Sequence, residues 1–420
     1  MIASSERWSR SADPLSVAAV AALAVALFLG SWQLIHHGFY NTRKQIRDTP
    51  VYQRYGDAIV SGDVPYRDFG LEYPPGALLV FVVPALGHSE EGDAHAFRRV
   101  FEALMWAAGA IALVCAAYAL WALRAGPGRL TAALAFVALA PLALGSVVLS
   151  RFDLWPAALT VAALAALAGG RERLGLGVLA LAVATKVYPG VLLPLALTHV
   201  WRRRGGREAL VCAGVFAAVL ALCFGPFLVL APGGVWDSVV RQTTRPLQIE
   251  SLGSSLLLAA HHALGVSIQW KSSHGSQNLV GTAPDVLTAL QTVLQIAALL
   301  GVWALFARGP AGREELVRGS AAAVCAFVAF GKVLSPQFLI WLVPLVPLVR
   351  GRRGLASSGL LAAALVLTQL WFPYRYLNLV FHFDAVASWL VLVRDVVLVV
   401  LLAALVWPAG REARTRSAAT

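Results

Sequence analysis

Charge is what this sequence has least of. Asp, Glu, Lys and Arg make up 13% of 420 residues while 59% are hydrophobic, and the mean hydropathy of +0.71 excludes a soluble globular chain. Acids are scarcer than bases, 22 against 34, leaving a net charge of +12. A nucleic-acid partner does not follow, because the arginines are neither gathered on one face nor interleaved with aromatics. Lysine is nearly missing, with Lys44, Lys186, Lys271 and Lys332 the whole set. Cys115, Cys212, Cys223 and Cys325 each stand alone in apolar segments. That excludes a disulfide framework and reads as small packing residues rather than a redox centre. His37, His261, His262, His274 and His382 have no metal-ligand spacing, and neither common glycine-rich phosphate loop is present. No metal and no cofactor are expected, and no internal repeat, linker or soluble domain is seen.

What is present is a succession of apolar runs long enough for membrane helices, which need about 20 residues because lipid cannot satisfy free backbone groups. Helices rather than a barrel are expected. The first run, about 15–36, is followed by no small-residue cleavage pattern and should stay as an anchor. Arginines punctuate the runs at Arg7/Arg10, Arg124/Arg129, Arg171/Arg173, Arg202/Arg203/Arg204/Arg207, Arg308/Arg313/Arg318, Arg350/Arg352/Arg353 and Arg411/Arg414/Arg416. Placing every cluster in the cytoplasm, by the positive-inside rule, orients the chain with both termini inside. The spans are then 15–36, 97–123, 130–149, 154–170, 174–186, 187–201, 209–231, 284–307, 317–334, 337–349, 355–372 and 385–407, about twelve in all (11–13). Those flanking "TKVYPG" and "GKVLSPQF" are short, as helices broken near the outer surface would be. The run 75–87 is too short to span and, counted as a crossing, would invert every later loop, so it is read as a re-entrant or surface helix. One membrane domain, 1–420, is predicted, with outer loops at 36–74 and 232–284.

Candidate chemistry sits on that outer side. "DTPVYQRYGDAIV" reads as a short amphipathic helix presenting Tyr52, Tyr55 and Ile59, with Pro50 in its first turn. Asp48 is then either its N-cap or a reactive carboxylate. Tyr73 precedes a proline and should be extended. Asp68 and Glu72 are either solvated acids and partners of Arg67 or groups that bind substrate. Further polar residues fall at helix ends: Arg151 and Asp153 in "SRFDLWP", Lys186 and Tyr188 in "TKVYPG", and Arg241, Arg245, Gln248 and Glu250 in "RQTTRPLQIE". Lys332 and Gln337 follow in "GKVLSPQF", and Arg375 and His382 in "FPYRYLNLVFHFD". Each alone could be an interfacial anchor. Together they argue for a cavity, since an ionisable side chain in a membrane segment costs about 2.5–3.5 kcal/mol on insertion scales.

These motifs, "DTPVYQRYGDAIVSGDVPYRDFGLEYPPGALLVFVVPAL", "RFDLWPAALTVAAL", "KVYPGVLLPLAL", "RPLQIESLGSSLL" and "KVLSPQFLIWLVPL", resemble bacterial GT-C glycosyltransferases of the polyprenyl-phosphate-mannose-dependent mannosyltransferase type. The resemblance runs from Asp48 to about Pro347 and does not reach Ala259–Ala283. It implies an all-α polytopic fold of GT-C type in the cytoplasmic membrane. It implies transfer of a hexose, mannose in the matching type, with inversion, from a polyprenyl-phosphate-sugar donor to a lipid or glycan acceptor on the outer face. It also places the catalytic base at Asp48, where the family carries a carboxylate just after the first membrane helix.

The chemistry is consistent with a single base. A polyprenyl phosphate leaves as a stable anion and, unlike the alkoxide of glycoside hydrolysis, needs no general acid. One base must take the acceptor hydroxyl proton, and cations must neutralise the departing phosphate. Arg151, Lys186, Tyr188, Arg241, Arg245 and Lys332 are the expected phosphate contacts. Tyr52, Asp68, Glu72 and Tyr73 are expected on the acceptor side, and Asp153, Gln248, Glu250, Gln337, Arg375 and His382 elsewhere in the cavity. The competing reading is a transporter or flippase of a lipid-linked sugar, in which broken helices also occur. Against it stand the gathering of ionisable groups at one end of the helices and the lack of an inverted repeat. A catalytically silent glycan-binding scaffold is a third reading.

Overall fold

A computed structural model describes residues 12–39, 46–87 and 93–407. Lys44 and the terminal arginines Arg7, Arg10, Arg411, Arg414 and Arg416 lie outside the described residues. The chain opens with α1 (Pro14–His36), whose N-cap Asp13 accepts from Ser16 N and is followed by a proline in the first turn. Next come α2 (Thr49–Val60), a 3-10 turn at Pro75–Ala77 and the eight-residue α3 (Leu79–Leu86). Then α4 (Ala94–Ala122), capped by Asp93, leads to α5 (Pro127–Leu144), α6 (Val147–Ser150), α7 (Leu154–Ala168) and α8 (Glu172–Thr185). After a 3-10 turn at Tyr188–Leu192 follow α9 (Leu193–Arg204), α10 (Gly206–Leu230), α11 (Pro232–Thr243), strand β1 (Leu247–Gln248) and α12 (Leu252–Leu264). Strands β2 (Gln269–Ser273) and β3 (Ser276–Val280) precede α13 (Thr282–Arg308) and α14 (Arg313–Ala329). Pro336–Leu348 is a broken helix of two 3-10 turns around α15 (Leu339–Leu342), before α16 (Gly351–Trp371), α17 (Tyr376–His382) and α18 (Ala385–Val406).

The architecture is the expected all-α polytopic membrane protein. Seven helices among the described residues are long and apolar enough to cross a membrane: α1, α4, α5, α10, α13, α16 and α18. A figure of about twelve is reached only by adding the shorter helices such as α7 and the broken 336–348 segment. The stretch expected as the second outer loop, 232–284, lies between α10 and α13 and is folded into α11, α12 and a three-stranded antiparallel sheet in the order β1-β3-β2. Its short polar strands carry no long apolar alternation, which is why a sequence reading passes over them.

Lipid supplies no hydrophobic drive between helices, so close backbone approach has to hold them together. The alanine-rich α7 does this at the centre, with Ala157, Ala158, Ala163, Ala165 and Ala168 all buried against neighbours that include α4 and α8. A side chain on Gly109 of α4 would overlap the Phe28 ring of α1, and one on Gly175 of α8 would strike Leu167 of α7. By contrast α10 has only 6% of its apolar window buried in protein, leaving an apolar surface suited to lipid.

Two ends of the bundle differ in charge. At one, arginines link the connections: Arg129 with Glu314 at 2.7 Å, Arg173 with Glu208 at 2.7 Å, and Arg204 with Glu172 at 3.0 Å. At the other, the α6–α7, α8–α9 and α11–α12 connections meet the segment 332–341 and the α2–α3 region, and several of the polar residues singled out from the sequence meet there.

Candidate active site

Asp48 begins α2 but does not cap it with its side chain. The backbone carbonyl accepts from Val51 N at 2.9 Å and Tyr52 N at 3.1 Å, Pro50 has no N–H to offer, and the carboxylate makes no cap hydrogen bond. The capping reading therefore fails. The carboxylate instead pairs with the Arg151 guanidinium, and the Tyr52 hydroxyl donates to Asp48 Oδ2 at 3.4 Å. Arg151 is 6% exposed, on the extended residue between α6 and α7.

Two residues on, Asp153 is fully buried and accepts from Lys186 Nζ at 2.6 Å and from Trp341 Nε1 at 2.6 Å. The Lys186 ammonium also lies 4.6 Å from the Phe152 ring centroid and 5.2 Å from that of Trp341. "RFD" thus sends three successive side chains to three tasks: a guanidinium to Asp48, a ring beneath Lys186, and a carboxylate that holds Lys186. Cations continue outward from this pair. Lys186 is within electrostatic reach of Arg151 and Arg245, and Lys332 of Arg245. Arg245 Nη2 donates to Ser276 Oγ at 3.0 Å, and Lys332 Nζ to the Thr243 carbonyl at 2.7 Å. Four of the cations expected at a phosphate therefore share one electrostatic basin, in which Arg245 is bonded to the β2–β3 hairpin and Lys332 to α11.

Beneath these groups lies a buried aromatic cluster. Tyr52 stacks on Phe81 at 4.9 Å and meets Phe101, Phe152 and Tyr73 at 5.6, 5.5 and 5.9 Å. This sets α2 on α3 and makes 75–86 a buttress of the site. Gly56 enables it, since any side chain there would strike the Phe81 carbonyl. Tyr73, on the lip, has its ring 5.1 Å from Phe152.

Other expected residues are placed differently. Asp68 accepts from Arg67 Nε and Nη2, both at 2.9 Å, and from Val64 N at 2.8 Å, closing its own turn. Those bonds, led by Arg67, hold its carboxyl down at about 2. Tyr188 is buried away from the basin, its hydroxyl 3.1 Å from Thr160 Oγ1 and its ring stacked on Trp341 at 4.0 Å. Its part is to support the indole that holds Asp153. Glu72 faces Gly275 at the hairpin tip and is within electrostatic reach of Arg245, while Arg241 is exposed on α11. Gln248 donates to Oε2 of the buried Glu250 at 2.6 Å and to Oγ of the half-buried Ser335 at 2.8 Å. Gln337 is half-buried in the 336–338 turn. Arg375 pairs with Asp384 at 3.6 Å beside the exposed His382 at the end of α17, and neither reaches Asp48. Among the described residues no three His, Cys, Asp or Glu side chains group as a metal site.

Sequence reasoning missed Trp341 and the fully buried pair Arg394 and Asp395 on α18. The signal for that pair was visible, two adjacent ionisable residues in the apolar run "ASWLVLVRDVVLVV". Trp341 carried none, because an indole in an apolar segment is indistinguishable from an anchor until its N–H finds an acceptor.

Residues 71–336, well over half of the chain, match the profile of glycosyltransferase family 87. The chain belongs to glycosyltransferase family 87. It is thus a multi-pass membrane glycosyltransferase of GT-C type, as the motif order implied. The family 87 match spans Glu72, Tyr73, Arg151, Asp153, Lys186, Arg245, Glu250 and Lys332 but begins after Asp48. Among solved structures, the apo crystal structure of ArnT from Cupriavidus metallidurans is similar at 16% identity, covering 92% of this chain and 76% of that one, with a TM-score of 0.46. No curated protein matches the chain.

Proposed function

We propose that this family 87 glycosyltransferase moves a hexose, mannose by its motifs, from a polyprenyl-phosphate donor to a lipid or glycan acceptor, with inversion, on the outer face of the cytoplasmic membrane. The observation that carries the reading is the juxtaposition of Asp48 with Arg151 at the edge of the Lys186–Arg245–Lys332 basin. The basin offers a departing phosphate several charge-assisted donors. A phosphate that leaves as an anion asks for no acid, and none is called for here.

In this scheme the donor phosphate sits among Arg151, Lys186, Arg245 and Lys332. The acceptor hydroxyl approaches past Tyr73, with Tyr52 buried beneath it, and Asp48 removes its proton as the hydroxyl oxygen attacks the anomeric carbon from the face opposite the phosphate. The bond to the phosphate breaks with its electron pair, which the cations stabilise. Asp153 holds and aims Lys186, and Trp341 keeps Asp153 in place.

The test is transfer of radiolabelled mannose from polyprenyl-phosphate-mannose to envelope glycolipids by the purified protein in liposomes. Release of polyprenyl phosphate with a new lipid-linked product is expected. Movement of intact donor between leaflets without bond cleavage would show a transporter instead. Orientation is read separately: single cysteines replacing Ser61 and Ser272 should react with an impermeant maleimide from outside intact cells, and one replacing Gly205 should not.

A further inference from the structure

The membrane helix α18 carries two adjacent charges that the scheme above does not use. Arg394 and Asp395 are both fully buried, with Arg394 Nε 2.7 Å from Asp395 Oδ1 and the guanidinium 5.8 Å from the Trp371 ring centroid. An ion pair so placed contributes little that well-packed apolar residues of similar volume would not, and often less. What apolar residues cannot supply is the remaining contact, in which Arg394 Nη2 donates to the backbone carbonyl of Glu250 at 2.7 Å.

That carbonyl belongs to the turn 248–251, which is held by three more hydrogen bonds to two other segments. Gln248 N donates to the Lys332 carbonyl at 3.0 Å, Gln248 Nε2 to Ser335 Oγ at 2.8 Å, and Ile249 N to the Gln277 carbonyl at 3.0 Å. The turn therefore ties the Lys332 segment to the β2–β3 hairpin that carries the Arg245 partner Ser276, and its Glu250 carboxyl is within electrostatic reach of both Arg394 and Arg151. A shift of about 1 Å in such a support can cost a hundredfold in rate.

We propose that Arg394, oriented by Asp395, is a positioning residue for the transfer reaction: it fixes the 248–251 turn and through it the spacing of Lys332 and Arg245 from Arg151. This rests on the transfer function proposed above. Arg394 touches no substrate and acts from the far side of the turn.

The test uses the full-length protein in liposomes with polyprenyl-phosphate-mannose as donor. In the double variant Arg394→Met/Asp395→Leu the charges go together, so no unpaired charge is left buried and the fold should melt at or above the wild-type temperature. Its amides at 248–251 should exchange with deuterium at least tenfold faster than in wild type. Its kcat should fall at least 30-fold while the stoichiometry of polyprenyl-phosphate binding stays unchanged, and Arg394→Lys, keeping a charged donor, should return kcat to within fivefold of wild type. Should the double variant not fold, Arg394→Gln/Asp395→Asn, which also leaves no buried charge, carries the same readouts. Wild-type exchange at 248–251 in the apolar variant overturns the proposal, as does faster exchange with unchanged kcat. Exchange is read whether or not sugar is transferred. A wild-type protein that transfers no mannose thus refutes the proposed function and leaves the hold of Arg394 on the turn decided by the exchange data.

Discussion

Replacing Asp48 by Asn is the sharpest perturbation of the site, because two effects follow and their sizes differ. As a base, Asp48 is worth about 10²–10⁴ in rate, which is about 2.7–5.4 kcal/mol of barrier at 1.36 kcal/mol per decade. As a partner of Arg151 it also holds a buried charge. Breaking a fully buried pair costs about 3–5 kcal/mol, but the Asp48 side chain is 28% exposed and Arg151 keeps Asp153 nearby. Asparagine also retains an oxygen acceptor, so the stability loss is about 1–3 kcal/mol. Against a folding stability of about 5–15 kcal/mol, that loss leaves nearly every molecule folded. It cannot produce a hundredfold loss of turnover. The assay is kcat for mannose transfer at saturating donor, alongside a thermal melt and the donor KM. A kcat at least 100-fold lower with the donor KM within threefold of wild type is expected. Turnover within threefold of wild type refutes the base assignment. If Asp68→Asn abolishes transfer while Asp48→Asn does not, the base is Asp68 and its bonds to Arg67 must open during turnover.

Three further outcomes follow from the geometry. Trp341→Phe removes the 2.6 Å donation to Asp153, which should cost about 1–3 kcal/mol of stability and raise the donor KM through a less constrained Lys186, measured by melting and steady-state kinetics. Arg245→Ala should raise the donor KM about 10- to 100-fold, the loss of one charge-assisted contact, whereas the exposed Arg241 should give threefold or less in the same assay; the reverse ranking would misplace the phosphate. The Asp68 carboxyl, held at about 2 against an ordinary 3.8, has a lowered folded-state value, so its contribution is complete above pH 4 and is lost as the pH falls from about 4 through 2. Hydrogen exchange at the Val64 amide should be protected above pH 4 and open as the pH falls through about 2, and in Asp68→Asn its residual protection should not change over that range.

Charge scarcity, the length of the apolar runs and the spacing of the arginine clusters were enough to establish the helical membrane class and most helix boundaries. Each rests on a local demand: lipid accepts a paired backbone and little else, and loop arginines resist translocation. The order of "PYRDF", "EYPPG", "KVYPG" and "SPQF" carried the glycosyltransferase reading as well, because a motif order survives where no single motif is decisive. The sequence could also name the polar residues at the helix ends, since ionisable groups bordering apolar runs stand out by composition alone. It could not say which of them meet. Asp48 leaves its helix cap for Arg151, more than a hundred residues on, Asp68 stays with its neighbour, and Tyr188 turns its hydroxyl to Thr160. Those choices depend on which buried partner stands within about 3 Å, a distance set by how α2, α7 and the 332–341 segment pack. The sheet at the basin and the Arg394 hold on Glu250 are likewise contacts between segments remote in the chain, where pattern along the sequence carries no record of proximity in space.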